Sequence, residues 1–219
     1  MATDWVSWDL LAKLRDLLED RQIDAGIALL DRHRAEWNAA GPDKCHIGLA
    51  LGCLARWVDV GYEDEMLLKE LVERFPANQR QPLPVADYVE LRMAEALVAM
   101  REENMTKALH HLDTALLLSN EIEAREVTVT ASLCKARCLR KAGEYDQALE
   151  VTRQGMRLAE SLGLRRVAAV MRTLESWILF QDGKSQDAIE LLQEAEAALR
   201  DTDDFITLGN IQSTYGRIA

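Results

Sequence analysis

Aromatic residues make up only 5% of this 219-residue chain, which also contains just four prolines and four cysteines. Scarce aromatics beside abundant alanine and leucine disfavour strands. The nearest approach to a β-branched run is Val127-Thr128-Val129-Thr130, which the phase of the helical pattern places inside a helix. Four cysteines do not make a disulfide framework in a chain of this size. Cys134 and Cys138 are one helical turn apart, and Cys45 and Cys53 two turns apart, as small apolar residues on buried helix faces would be. Neither a Cys-x-x-Cys nor a closely spaced histidine pair supplies tetrahedral zinc ligands, so no metal is expected.

Long apolar runs are missing too. None approaches the roughly 18 residues that would cross a bilayer, and Met1-Ala2-Thr3-Asp4-Trp5 lacks the basic and apolar regions of a signal peptide. A cytoplasmic protein with no membrane partner is expected. Positive charge is also in short supply: 26 Lys and Arg against 37 Asp and Glu leave a formal net charge of −11. Direct nucleic-acid binding needs a basic footprint and is not expected. The charge is unevenly spread, however. Residues 125–172 hold ten Lys and Arg against five Asp and Glu, a balance of +5, whereas the remainder holds 16 against 32.

Catalytic signatures are equally absent. The chain has no glycine-rich phosphate loop, no Gly-x-Ser-x-Gly and no His-Glu-x-x-His. His110 and His111 are adjacent, hence divergent on a helix, and read as solvated or half-buried residues. Asp201-Thr202-Asp203-Asp204 lacks the spacing and glycine of a calcium loop and reads as a solvated turn with a helix N-cap. Neither an enzyme nor a cofactor is expected.

What the chain does contain is a repeat. Ala108-Leu109 returns as Ala148-Leu149 and Ala188-Ile189, at a step of 40 residues. Ala96, Ala136, Ser176 and Gly216 form a second small-residue column at that step, and Ala115, Gly155 and Ala195 a third. A fixed period in this range marks a stack of supersecondary units. Apolar periodicity predicts helices over about 4–18, 23–37, 43–60 and 63–75, then 85–101, 106–119, 124–142, 145–161, 165–181, 185–200 and 204–219. Gly143, Gly163 and Gly183 sit where helices should end, with Glu103 and Asn104 in the equivalent place one period earlier. Phe75-Pro76, Pro82 and Pro84 mark the internal boundary, giving divergent hairpins over 1–81 and repeats over 82–219. The fold class is all-α: about 11 helices in antiparallel hairpins.

The line Ala136, Leu139, Gly143, Tyr145, Ala148, Leu149, Gly155 resembles a tetratricopeptide repeat (TPR), and residues 85–219 carry the resemblance. It implies a right-handed superhelix, an α-solenoid, whose concave groove binds protein segments. Two departures from the family pattern stand out. The 40-residue period is longer than that family's usual one, and the proline after its second helix is replaced by Leu162-Gly163-Leu164 or Asp201-Thr202-Asp203. The longer variant resembles helical-repeat sensor regions of large bacterial signalling proteins and regulators. Gly216 falls in the small-residue column, so the last unit lacks its second helix, as a fragment of a longer array would. Ile206, Ile211, Tyr215 and Ile218 are apolar where a capping helix should be polar, which predicts self-association through 204–219.

One stripe on the first helix of each unit varies while the small columns stay constant. It carries Met93, Leu97 and Met100; then Arg137, Arg140 and Lys141; then Trp177 and Phe180; then Arg217. In the TPR family that stripe lines the groove, which makes these nine residues the candidate partner-binding site. An apolar, a basic and an aromatic patch side by side imply an acidic and apolar protein segment as partner. The set of Lys, Asn and Arg that clamps C-terminal carboxylates in that family is not reproduced. The expected function is therefore a non-enzymatic scaffold. The alternative is a sensor or regulatory domain that holds a small ligand or peptide.

Overall fold

A computed structural model describes residues 5–39, 46–76, 83–200, 202 and 204–218. Among these residues there are twelve helices and no strand: α1 Trp8–Glu19, α2 Ile23–Arg32, α3 Arg34–Asn38, α4 Ile47–Val60, α5 Glu65–Arg74, α6 Val85–Arg101, α7 Met105–Glu121, α8 Arg125–Ala142, α9 Tyr145–Ser161, α10 Arg165–Gln181, α11 Ser185–Leu199 and α12 Phe205–Ile218. None is long and apolar enough to cross a membrane. The chain forms two compact units, Met1–Leu118 and Ser119–Ala219.

The core of the first unit is built from large side chains. Trp37, Trp57, Phe75, Leu14, Leu30, Leu51, Leu54, Leu68 and Leu71 are all fully buried. Trp5 and Trp37 meet edge to face at 5.6 Å, and the Trp5 indole N–H donates to the Glu36 carbonyl. Helix α1 therefore starts later than the sequence suggests. Trp5 and Val6 enter the core ahead of it, and Ser7 supplies the N-cap by accepting from the Leu10 N–H at 3.2 Å. Thr3 and Asp4, residue types that could cap a helix beginning at residue 4, lie outside the described residues. The single helix expected over 23–37 is interrupted at His33, which splits it into α2 and α3. The break coincides with the complete burial of Trp37.

Helices α4 and α6 cross with backbone almost on backbone. A Cβ on Gly48 would fall 1.8 Å from the Asp87 carbonyl oxygen, and one on Gly52 2.2 Å from Glu90 Oε2. That proximity lets Asp87, on α6, cap a helix other than its own. Its Oδ1 accepts from the Gly48 and Leu49 N–H groups, at 3.0 and 3.2 Å, in the first turn of α4. One turn on, Arg56 donates to Glu90 at 2.7 Å across the same crossing.

Two polar groups differ from their sequence reading. His111 is buried, not solvated: its Nδ1 lies 3.0 Å from Arg92 Nη1 and 3.1 Å from Glu95 Oε2, and Arg92 also donates to the Tyr88 hydroxyl at 2.5 Å. A buried carboxylate is tolerable only when paired in this way. Asp204 does cap α12, accepting from the Thr207 N–H at 3.1 Å, yet it is only 1% exposed and lies 3.6 Å from Arg166 Nη1.

The second unit is more regular. Hairpins α8/α9 and α10/α11 are followed by α12; α8 and α12 each flank α10 in one layer, and α9 and α11 pack on that layer. Small residues make the close packing feasible. Ala136, Ser176, Ala148 and Ala188 are completely buried. At Gly155 the missing methyl is replaced by a neighbour, since a Cβ there would lie 2.7 Å from Met171 Cε. Successive joints repeat one closure: the Glu144 N–H reaches the Leu139 carbonyl, Leu164 reaches Ala159, and Lys184 reaches Leu179, each at 2.9 Å. This six-residue loop needs one residue in the left-handed conformation. Gly143, Gly163 and Gly183 supply it at φ 82, 72 and 77, while Glu103 and Glu123 are held there at φ 59 and 53.

Candidate binding site on α8, α10 and α12

The turn at Gly143 determines how the end of α8 is presented. Arg137 and Arg140 lie in its last two turns, one turn apart and hence on one stripe. Gly143 folds the chain back so that Tyr145 opens α9 immediately beside them. Trp177 lies at the equivalent height of α10, the middle helix of the layer.

These side chains converge. The Arg140 guanidinium carbon lies 4.6 Å from the centre of the Trp177 ring, a cation–π contact. Tyr145 meets the same indole edge-on at 5.8 Å. Burial pushes the Arg140 guanidinium below its usual pKa, and the positive charges of Arg137 and Arg217 push the same way. Arg137 on α8 and Arg217 on α12 thus act electrostatically on the guanidinium that stacks on Trp177. Arg140 is half-buried, and its Nε is out of reach of solvent with no hydrogen-bond partner among the described residues. The acid on the same helix as the indole is already engaged, because Glu175 accepts from Arg153 at 2.8 Å.

The other expected site residues are placed differently. Phe180 is half-buried one turn beyond Trp177, Lys141 is exposed at the end of α8, and Arg217 is exposed in the last turn of α12. Met93 and Met100 are buried in α6, at 8% and 4% exposure, and Leu97 packs against the core of the first unit. Tyr145 escaped the sequence reading as a site residue, although its position two residues beyond the Gly143 turn brings it back to the end of α8. Among the described residues no cluster of His, Cys, Asp and Glu is arranged to hold a metal. Cys138 is buried, Cys53 and Cys134 are half-buried, and Cys45 lies outside the described residues.

No family model and no curated protein matches the sequence. Solved structures do match. The TPR-like repeats of a Podosopora anserina protein described as a kinesin light chain superpose with a TM-score of 0.51 at 17% identity, covering 93% of this chain and all of that one. A single-substitution variant of those repeats gives a TM-score of 0.57 at 16% identity, over 87% of this chain and 93% of that one. At such identities the likeness is one of fold. The fold of this chain is that of TPR-like repeats, antiparallel helical hairpins following one another along the sequence.

Proposed function

We propose that the second unit is a non-enzymatic protein-binding module whose partner segment lies across α8, α10 and α12, centred on Arg140 and Trp177. The Arg140–Trp177 stack, at 4.6 Å, carries this reading. Arginine and tryptophan are the residues that most often dominate binding energy when they are held rigidly. Here Tyr145 braces the indole and the indole positions the guanidinium. Arg137 and Arg217 add charge suited to acidic residues, and Phe180 adds apolar surface beside Trp177. The negative net charge of the chain does not oppose this, because exposed charges act over a Debye length of about 8 Å at physiological salt. The TPR-like fold supports the same reading in general terms, as a scaffold that engages other proteins.

Capture of a partner, followed by calorimetry with the purified pair, tests it. Arg137→Glu with Arg140→Glu should abolish binding while helicity is retained. Trp177→Ala should weaken it by about 2 kcal/mol, the level of a hot spot. Undiminished affinity in the double charge reversal would overturn the assignment.

A further inference from the structure

We infer that the group this site takes from its partner segment is a phosphorylated serine or threonine side chain, an inference that rests on the protein-binding reading above. The charge count leads there. Arg140 is stacked at 4.6 Å on Trp177, and Arg137 and Arg217 both raise the positive potential at its guanidinium. Among the described residues neither Arg140 nor Arg217 has an ion-pair partner, and Glu175 pairs through its Oε1 with Arg153. The Nε of Arg140 is buried without a hydrogen bond, so part of a cation has been taken from water with nothing to replace it. The stack keeps the guanidinium in place without consuming any of its donors.

A single carboxylate brings one negative charge and two oxygens, against the two positive charges of Arg140 and Arg217. A phosphomonoester brings a charge of about −1.5 to −2 at pH 7 and three strong acceptor oxygens, enough for guanidinium forks from two helices at once. Arginine favours phosphate because its planar fork binds two oxygens together, which lysine cannot do. The overall charge of −11 disfavours the other common source of phosphate, a nucleic acid strand.

The full chain labelled with 5-fluorotryptophan provides the readout. Trp177 is the one tryptophan in the second unit, and its fluorine resonance is identified by Trp177→Phe. The probes are heptapeptide pools with degenerate flanks and a central serine, aspartate or phosphoserine, together with inorganic phosphate and an oligothymidylate. The phosphoserine pool should move the Trp177 resonance at a concentration about tenfold or more below the aspartate pool, with the serine pool inert and inorganic phosphate competing only weakly. Arg140→Lys should cost about tenfold although it keeps the charge. Arg217→Glu, on the exposed side of α12, should do the same without touching the packed stack. Equal response to aspartate and phosphoserine would overturn the phosphate inference and leave the protein-binding reading standing. A resonance that no peptide pool moves, or one moved by the oligothymidylate alone, would overturn both.

Discussion

Replacing Gly48 by alanine adds one methyl group at the tightest crossing in the first unit. The new Cβ would lie 1.8 Å from the Asp87 carbonyl oxygen, 2.4 Å from its carbonyl carbon and 2.7 Å from its Cα. All three are backbone atoms, so no change of rotamer makes room. Helices α4 and α6 would have to part by well over an ångström, stretching the bonds of 3.0 and 3.2 Å by which Asp87 caps α4. Overpacking of this kind costs about 1–3 kcal/mol. Loss of the cap adds about 1 kcal/mol, against a gain of up to about 1 kcal/mol because alanine is the better helix former. The expected net loss is about 1–4 kcal/mol. Urea unfolding followed by tryptophan fluorescence reads mainly this unit, since Trp5, Trp8, Trp37 and Trp57 belong to it and Trp177 alone to the other. Gly209→Ala, in the second unit and read by far-UV circular dichroism, is the control: that glycine is also helical, but nothing lies within 4 Å of its added Cβ, so it should gain up to about 1 kcal/mol. A Gly48→Ala protein with the wild-type midpoint and slope would refute the argument.

Ala148 is completely enclosed between α8 and α9, and Ala148→Leu should cost about 1–3 kcal/mol in the same assay, read by far-UV circular dichroism. Glu103→Gly and Glu123→Gly should each stabilise by about 0.5–1 kcal/mol, because a left-handed backbone that strains glutamate suits glycine; a thermal midpoint that falls would contradict this. Burial pushes the Cys53 thiol from 9.0 up to about 12, and burial with the charges of Asp31 and Asp64 pushes the Tyr62 phenol from 10.0 up to about 12. The unfolded chain therefore releases these protons first. Stability should fall as pH rises from about 9 to 12, and Cys53→Ala with Tyr62→Phe should flatten that slope in denaturant titrations. Phe205 and Ile206 stand 73% and 47% exposed at the start of α12, so concentration-dependent association is expected in sedimentation and should diminish in Phe205→Ser with Ile206→Ser.

The later helices were legible because several signals coincide in each of them. For α6 and α8 to α12, apolar spacing, small-residue columns and turn residues agree, and each helix begins and ends within one residue of its expected limits. The rest of the first unit resists such reading. Gly48 and Gly52 look like poor helix formers in isolation, and their purpose appears only when α6 is seen against them. Asp87 and His111 make their bonds to groups more than fifteen residues away, which no local pattern encodes. The candidate site was half legible. Spacing puts Arg137, Arg140 and Trp177 on one stripe, but spacing alone cannot separate a methionine that lines a groove from one that fills a core. Met93 and Met100 are buried in a helix that is enclosed on nearly every side.

The crossing of α4 and α6 also bears on how the first unit can move. Packed helices slide past each other by letting long side chains hop between rotamers, so that a small shear costs little. At Gly48 there is no such cushion, because the space of a Cβ is filled by the Asp87 backbone, while at Gly52 it is filled by the Glu90 side chain. Asp87 and the Arg56–Glu90 pair pin the register as well. These two helices therefore behave as one stiff plate. Any breathing of the unit is confined to its other helices, where α1, α2 and α5 meet their neighbours through leucine and tryptophan side chains that can re-pack.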